Sequence, residues 1–293
     1  MANLKEIRQR IRSVKSTQQI TKAMKMIAAA RLRKAQEAIV TKRPYAHRIR
    51  DIIATLANRA EAEDHPLLAQ RPARKVLMLV LTSDRGMCGG FNVNIARKTV
   101  SFIDQNDAEH NSVDLAVIGR KGQDFFRRRE QYSVTKEYQG ILDNIDYDKA
   151  KTIGDDIIAA YTDEGLDAVY MVYNEFKSAM NQQVVVEQLL PVVPDEDEVE
   201  DEISETLLDF VYEPSKIDVL DQVLPLHVNT QIYRAILESI ASEMGARMTA
   251  MDSATRNAQE LIAKLTLKYN RARQAAITTE LMEIIGGAEA LKG

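Results

Sequence analysis

The single cysteine, Cys88, lies in a glycine-rich run, Ser83-Asp-Arg-Gly-Met-Cys-Gly-Gly-Phe-Asn92. Two chemistries fit those residue types. A thiol near Arg85 and at the start of a helix would ionise more readily and serve as a nucleophile. A turn built from Asp84, Arg85, Gly86, Cys88, Gly89 and Gly90 after a strand would offer backbone N–H groups to a phosphate. Neither chemistry is completed by the surrounding residues. The run matches neither GxxxxGK[ST] nor GxGxxG, and no lysine follows it to reach a terminal phosphate. The four histidines, His47, His65, His110 and His227, are scattered, so Cys88 has no base beside it in sequence. No set of His, Asp and Glu has ligand spacing for a metal. The glycines are expected to make a tight strand-to-helix turn that brings backbone close to a neighbouring group, with Cys88 packed inside it. The chain reads as no enzyme in its own right: no catalytic, cofactor-binding or metal-ligating residue is assigned, and no cofactor.

Two further charged stretches bear on binding. Asp195 to Glu205 is an almost unbroken acidic run, but it has neither the glycine turn nor the ligand spacing that wraps a cation, and it reads as a solvated loop. Residues 1–50 hold fourteen lysines and arginines against Glu6 and Glu37, a surplus of twelve positive charges in a chain whose net charge is −4. Such a helix wants acidic company: nucleic acid, anionic lipid or an acidic protein surface. A merely solvated face usually mixes its signs. With one cysteine among 293 residues, no intramolecular disulfide forms, which fits a reducing compartment. No run of eighteen apolar residues is present, and the amino terminus lacks the apolar core of a secretory signal.

The elements that must position these residues are two long helices around an alternating middle. Between Leu226 and Ile285 there is no proline and, before Ile285, only Gly245 among glycines. Leu237, Ile240, Met244, Met248, Met251, Ala258, Ile262, Leu265, Tyr269, Ala272 and Ala276 trace one narrow stripe at steps of three and four. Sixty helical residues would span roughly 90 Å, longer than a globular helix needs, and so narrow a seam calls for a partner helix. The amino-terminal segment supplies it: Leu4, Ile7, Ile11 and Val14 keep heptad spacing, and after a slip Ile20, Met24, Ile27, Leu32 and Ile39 continue, with Pro44 expected to kink or interrupt the helix. The two segments are expected to pair antiparallel with the rest looped out between them. Packing of two unrelated amphipathic helices on that middle is the plainer alternative.

In the middle, Glu61 to Arg74 reads as a polar linker with Pro66 and Pro72. Strands are expected at Lys75–Thr82, Asp114–Gly119, Tyr132–Tyr138, Asp167–Asn174, Gln183–Pro191 and Leu207–Tyr212. Helices are expected at Val93–Gln105, Lys121–Arg129 and Lys149–Asp163. That alternation implies a Rossmann-like parallel or mixed sheet. The expected fold class is α/β: a long antiparallel coiled coil of the terminal helices (1–60 with 226–288) plus a Rossmann-like α/β domain (74–214).

Three stretches together resemble the γ subunits of F-type ATP synthases. They are Ile20-Thr-Lys-Ala-Met-Lys-Met-Ile-Ala-Ala-Ala-Arg31 with Arg43-Pro-Tyr45, the Ser83–Asn92 run, and Ser242–Asn257 with Tyr269–Ala288. They cover both ends and the middle in the family's order; Met87 stands where the family often has leucine, a swap of similar volume. The resemblance implies a rotor shaft inside a ring of three α and three β subunits, seated below against the ε subunit and the membrane c-ring, with catalysis in β. It implies coupling contacts to β at Lys22, Met24, Lys25, Arg31, Arg273, Gln274, Thr278 and Glu280, and a c-ring contact at Tyr212 and Glu213. It implies a tip at Ile284–Leu291 held in the ring's apolar sleeve, no nucleic acid, and membrane contact only through the complex. The lack of a second cysteine and the start at Met-Ala-Asn-Leu favour a bacterial chain, peripheral on the cytoplasmic face of the plasma membrane. Two rivals stand beside this: a basic coiled-coil nucleic-acid-binding protein, which lacks aromatics interleaved with its charges, and a Rossmann-type enzyme with a helical dimerisation arm.

Overall fold

The computed structural model describes residues 2–57, 65–106, 110–142, 145–193 and 216–290. Helix α1 is Ala2–Ala57, and strand β1 is Lys75–Leu81, followed by α2 (Phe91–Gln105) and β2 (Ser112–Ile118). Next come α3 (Arg120–Phe126), β3 (Ser133–Tyr138), α4 (Tyr147–Asp163), β4 (Ala168–Phe176) and β5 (Gln182–Leu190). The last helix, α5, is Lys216–Ala290 and runs for 75 residues. These residues form two compact units, 1–28 with 247–293 and 29–246.

Within residues 29–246, the sheet order is β3-β2-β1-β4-β5. Strand β1 pairs parallel with β2 and β4, β2 pairs parallel with β3, and β5 returns antiparallel along β4. Every residue of β1 after Lys75 is buried, which explains its unbroken apolar run: both of its faces meet helices. Leu77, Leu79 and Leu81 face α4 and the first half of α5, packing with Ile153, Ile157, Leu224, Val228 and Ile232. Val76, Met78 and Val80 face α2 and α3, packing with Phe91, Ile95 and Phe126. Asp146 caps α4, its carboxylate accepting from the Lys149 N–H at 2.9 Å.

Four expectations are corrected here. Helix α1 runs through Pro44 without interruption. Proline costs a helix one hydrogen bond and a local clash, which a helix of 56 residues can absorb by bending. The last helix starts at Lys216, ten residues ahead of Leu226, and Pro225 lies inside it at the end of its third turn. The apolar residues Leu220 and Leu224 explain the early start, because both are buried against the sheet and reward helix before the proline. The polar linker is only half a linker: Leu67 and Leu68 are buried, and the Val192 N–H donates to the Leu67 carbonyl at 2.8 Å. The fourth concerns the seam of α1. Its buried and half-buried positions include 4, 7, 11, 14, 18, 21, 25, 28, 32, 35 and 39, a heptad that continues without a break from Leu4 to Ile39. There is no slip after Val14. Ile20 and Ile27 are 56% and 59% exposed, while Gln18, Thr21, Lys25 and Ala28 occupy the seam. The expected strand at Leu207–Tyr212 and the acidic run Asp195–Glu205 lie outside the described residues.

Candidate functional site

The helical pair of residues 1–28 and 247–293 is the first candidate surface. Arg8 Nη2 donates to the Tyr269 hydroxyl at 2.7 Å, with the guanidinium 5.5 Å from the ring centroid. Thr21 and Thr255 join their hydroxyls at 2.8 Å. Lys25 Nζ donates to Asp252 Oδ1 at 2.5 Å. From Arg8 to Lys25 the chain advances 17 residues along α1, and the partner recedes 17 along α5, from Tyr269 to Asp252. The pair is antiparallel and in constant register, as expected. On α5 the half-buried and buried seam is Met248, Met251, Thr255, Ala258, Ile262, Leu265, Tyr269, Ala272 and Ala276, the stripe read from the sequence with Thr255 added. The lone hydroxyl in an apolar stripe hid that position from a hydrophobicity reading.

Lys22 is exposed, Met24 is half-buried, and Lys25 reaches across the pair to Asp252, which also takes Arg256 Nη2 at 2.9 Å. The hydrogen bond from Lys25 holds the Asp252 carboxyl below the usual carboxylate range. Arg273, Gln274, Thr278 and Glu280 are all exposed on the last turns of α5. In this register Leu4 stands opposite Ala272, so the turns after Ala276 extend beyond the start of α1. Ile277, Leu281, Met282, Ile284 and Ile285 are exposed there. Arg31 is exposed on α1 within the second unit. Tyr212 and Glu213 lie outside the described residues.

The glycine turn is the second candidate. Its polar atoms close on one another. The Ser83 hydroxyl donates to the Arg85 carbonyl at 2.6 Å, and Asn92 Oδ1 accepts the Ser83 N–H at 2.9 Å. Asn92 Nδ2 donates to Cys88 Sγ at 3.2 Å, and Cys88 is buried, as expected for a packing residue. Asp84 Oδ1 accepts the Arg120 N–H at 3.0 Å, tying the turn to the start of α3. Gly89 has φ +59° and Met87, exposed, has φ +62°, so the chain turns sharply with Met87 at its tip. Gly90 has φ −83°, open to any residue, and a Cβ on Gly86 would come no nearer than 3.9 Å to the Lys121 side chain.

A third feature escaped the sequence reading: a half-buried charged cluster joining the sheet to α5. Arg234 Nη2 donates to Glu187 Oε1 at 2.5 Å and Arg234 Nε to Gln231 Oε1 at 2.8 Å, while the Tyr173 hydroxyl donates to Glu187 Oε2 at 2.6 Å. Arg234 Nη1 lies 3.4 Å from Glu238 Oε1, and burial raises the Glu238 carboxyl above its ordinary value. Nearby, the Ser242 hydroxyl donates to the Asn174 carbonyl at 3.1 Å, and a Cβ on Gly245 would stand 3.1 Å from the Ala179 Cα. Helix α5 thus lies against the carboxyl end of β4, the side of a doubly wound sheet on which nucleotides bind. Among the described residues, no group of three or more His, Cys, Asp and Glu side chains is arranged to hold a metal.

Comparison with known proteins adds the following. The family model described as ATP synthase matches residues 3–291. The chain is 50% identical over 293 residues to the "ATP synthase gamma chain" of Geobacter metallireducens, covering all of both chains. It is 52% identical over 295 residues to the "ATP synthase gamma chain" of Anaeromyxobacter sp. Fw109-5, again end to end. Among solved structures it is similar in fold to a chain of the Euglena gracilis mitochondrial ATP synthase (OSCP/F1/c-ring, rotational state 3). The TM-score is 0.73 at 20% identity, covering 99% of this chain and 95% of that one. A chain of the Tetrahymena thermophila central stalk and c-ring matches with TM-score 0.60 at 24% identity, covering 80% and 99%.

Proposed function

The chain belongs to the ATP synthase gamma-chain family, and from that premise we propose how this central rotor shaft, a non-catalytic subunit of the rotary complex, couples its turning to the nucleotide sites around it. The observation that carries the reading is the in-register antiparallel pair of 1–28 with 247–293, pinned by Arg8–Tyr269, Thr21–Thr255 and Lys25–Asp252. Two helices whose side chains interlock resist twisting as one rod, whereas a single helix or a loop would not.

The working contacts of this proposal are the basic face of α1 and the last turns of α5. Lys22, Met24, Lys25 and Arg31 meet acidic lever loops of the β subunits; Arg273, Gln274, Thr278 and Glu280 make a second, polar contact with β. Exposed polar pairs are individually weak, so they exchange as the shaft steps. The exposed apolar tip after Ala276 sits in an apolar sleeve of the α and β ring. Tyr212 and Glu213 face the c-ring, and ε binds the α/β body. In this division of labour, 1–60 and 226–288 carry torque and 74–214 anchors the shaft to the membrane rotor. The Ser83–Asn92 turn is a structural joint of that body. No described helix is long and apolar enough to cross a membrane. In this reading the chain meets the bilayer through the complex, on the cytoplasmic face of the bacterial membrane.

The test is ATP hydrolysis by the purified chain, alone and after mixing with purified bacterial α and β subunits. Silence alone, with cooperative hydrolysis in a complex holding one copy of this chain, is the expected result. Turnover by the chain alone overturns the reading.

A further inference from the structure

The polar residues inside the coiled-coil seam make poor glue. Lys25 and Asp252 side chains keep 42% and 34% of their surface exposed, and such pairs add little net stability. Their value lies in what the other registers lack. In the observed register, seam positions face each other as Ile7 with Tyr269, Ile11 with Leu265, Val14 with Ile262, Gln18 with Ala258 and Thr21 with Thr255. A slip of one heptad keeps apolar seam against apolar seam over most of this length, so hydrophobic packing discriminates weakly against it. The polar pairs discriminate strongly. One heptad either way puts Thr21 opposite Ile262 or Met248, Arg8 opposite Ala276 or Ile262, and Lys25 opposite Gln259 or Gly245. No carboxylate, tyrosine hydroxyl or threonine awaits them. The two threonine hydroxyls lie 2.8 Å apart and either can donate to the other, while each also reaches a carbonyl of its own helix, Gln18 at 3.0 Å for Thr21 and Met251 at 2.7 Å for Thr255.

We infer that Arg8–Tyr269, Thr21–Thr255 and Lys25–Asp252 are a register lock, positioning residues that exclude heptad-slipped pairings of α1 with α5. Its role in torque rests on the rotor reading above: a pair free to ratchet by one heptad would lose angular position at the tip. The lock itself does not depend on that reading. It also assigns Lys25 a task within the chain, distinct from any contact its charge makes with β.

The test uses the full chain carrying Cys88→Ser, with reporters of register. Ile11→Cys with Leu265→Cys closes a disulfide only in the observed register; Ile11→Cys with Ala258→Cys, or with Ala272→Cys for the opposite direction, closes only after a heptad slip. With the lock intact, oxidation is expected to crosslink the first pair and leave the slipped pairs free. Thr21→Val, Lys25→Asp and Arg8→Ala together are expected to raise the slipped crosslink, by up to roughly tenfold for each pair removed. Restoring the ion pair with charges exchanged, Lys25→Asp with Asp252→Lys, is expected to bring the slipped crosslink back down. General weakening of the helix would give no such rescue, and circular dichroism confirms that each variant stays helical. A slipped crosslink that stays absent in the triple variant overturns the lock, because the packing of Leu32 and Ala35 with Ala241 and Met244 would then hold register unaided. Slippage on the isolated chain together with undiminished coupling in the assembled complex would spare the lock and remove only its part in torque.

Discussion

Gly119 ends β2 with φ +89°, and a Cβ built there would lie 2.1 Å from the Thr82 carbonyl oxygen. Two penalties coincide, the left-handed backbone and a collision with backbone that cannot rotate away. Gly119→Ala is expected to destabilise the chain by about 3 kcal/mol, read as a lower urea midpoint. Glu238 offers a different handle. Burial, acting first, and the neighbouring Glu175 and Glu187 raise its carboxyl above 4.5, against the opposing pull of Arg234 and the Phe176 N–H. The folded state therefore holds the proton more tightly than the unfolded state does. Stability is lost as pH rises from 4.5 through the raised value, and Glu238→Gln is expected to abolish that slope. Urea midpoints of both proteins at pH 4.5 and pH 8 measure it; an unchanged slope in the variant would assign the dependence elsewhere. Arg234→Met strands Glu187 beside Glu238 and is expected to cost about 1–3 kcal/mol, less than breaking a fully buried pair, because Arg234 and Glu187 keep 25% and 37% of their side-chain surface exposed.

At the scale of the element, α1 separates two patterns that a hydrophobicity reading cannot. Ile20 and Ile27 look like seam residues because they are large and apolar; Thr21 and Ala28 look like surface. The structure reverses both assignments. The physical reason is continuity: a helix cannot shift its stripe by one residue without an insertion in the heptad, so Gln18, Thr21 and Lys25 are carried into the seam by the residues on either side. Ile20→Ser and Ile27→Ser are expected to leave the unfolding midpoint within about 0.5 kcal/mol of the parent, as exposed substitutions do. Leu32→Ala, buried with Met244, is expected to cost about 2–4 kcal/mol. Comparable losses at Ile20 and Leu32 would mean that the outer residues are part of the core.

At the scale of the whole molecule, the separation of stability from coupling is the property to measure. Lys22 is exposed, so reversing its charge is expected to leave the helical pair intact. Lys22→Glu is expected to leave ATP hydrolysis by the assembled complex within about twofold while lowering ATP-driven ion pumping several-fold, as loss of charge-complementary contacts does. Pumping in membrane vesicles and hydrolysis in the same preparation check this. Equal loss of both would point to failed assembly instead.

Much of this protein was legible in its amino acids, because local patterns report local physics. The apolar run within Lys75–Thr82 announced a central strand, the stripe from Leu237 to Ala276 a seam, and the Ser83–Asn92 glycines a turn around a packed cysteine. Three widely spaced stretches sufficed to place the chain in its family. What the tertiary structure alone decided involves residues brought together from far apart. The partnership of Lys25 with Asp252 joins positions 227 apart in sequence, and that of Arg234 with Glu187 joins positions 47 apart. A charged residue in a sequence looks the same whether it faces water or a partner across a helix pair. The polar seam and the half-buried cluster stayed hidden for that reason, since burial and register are properties of the folded pair and not of either segment.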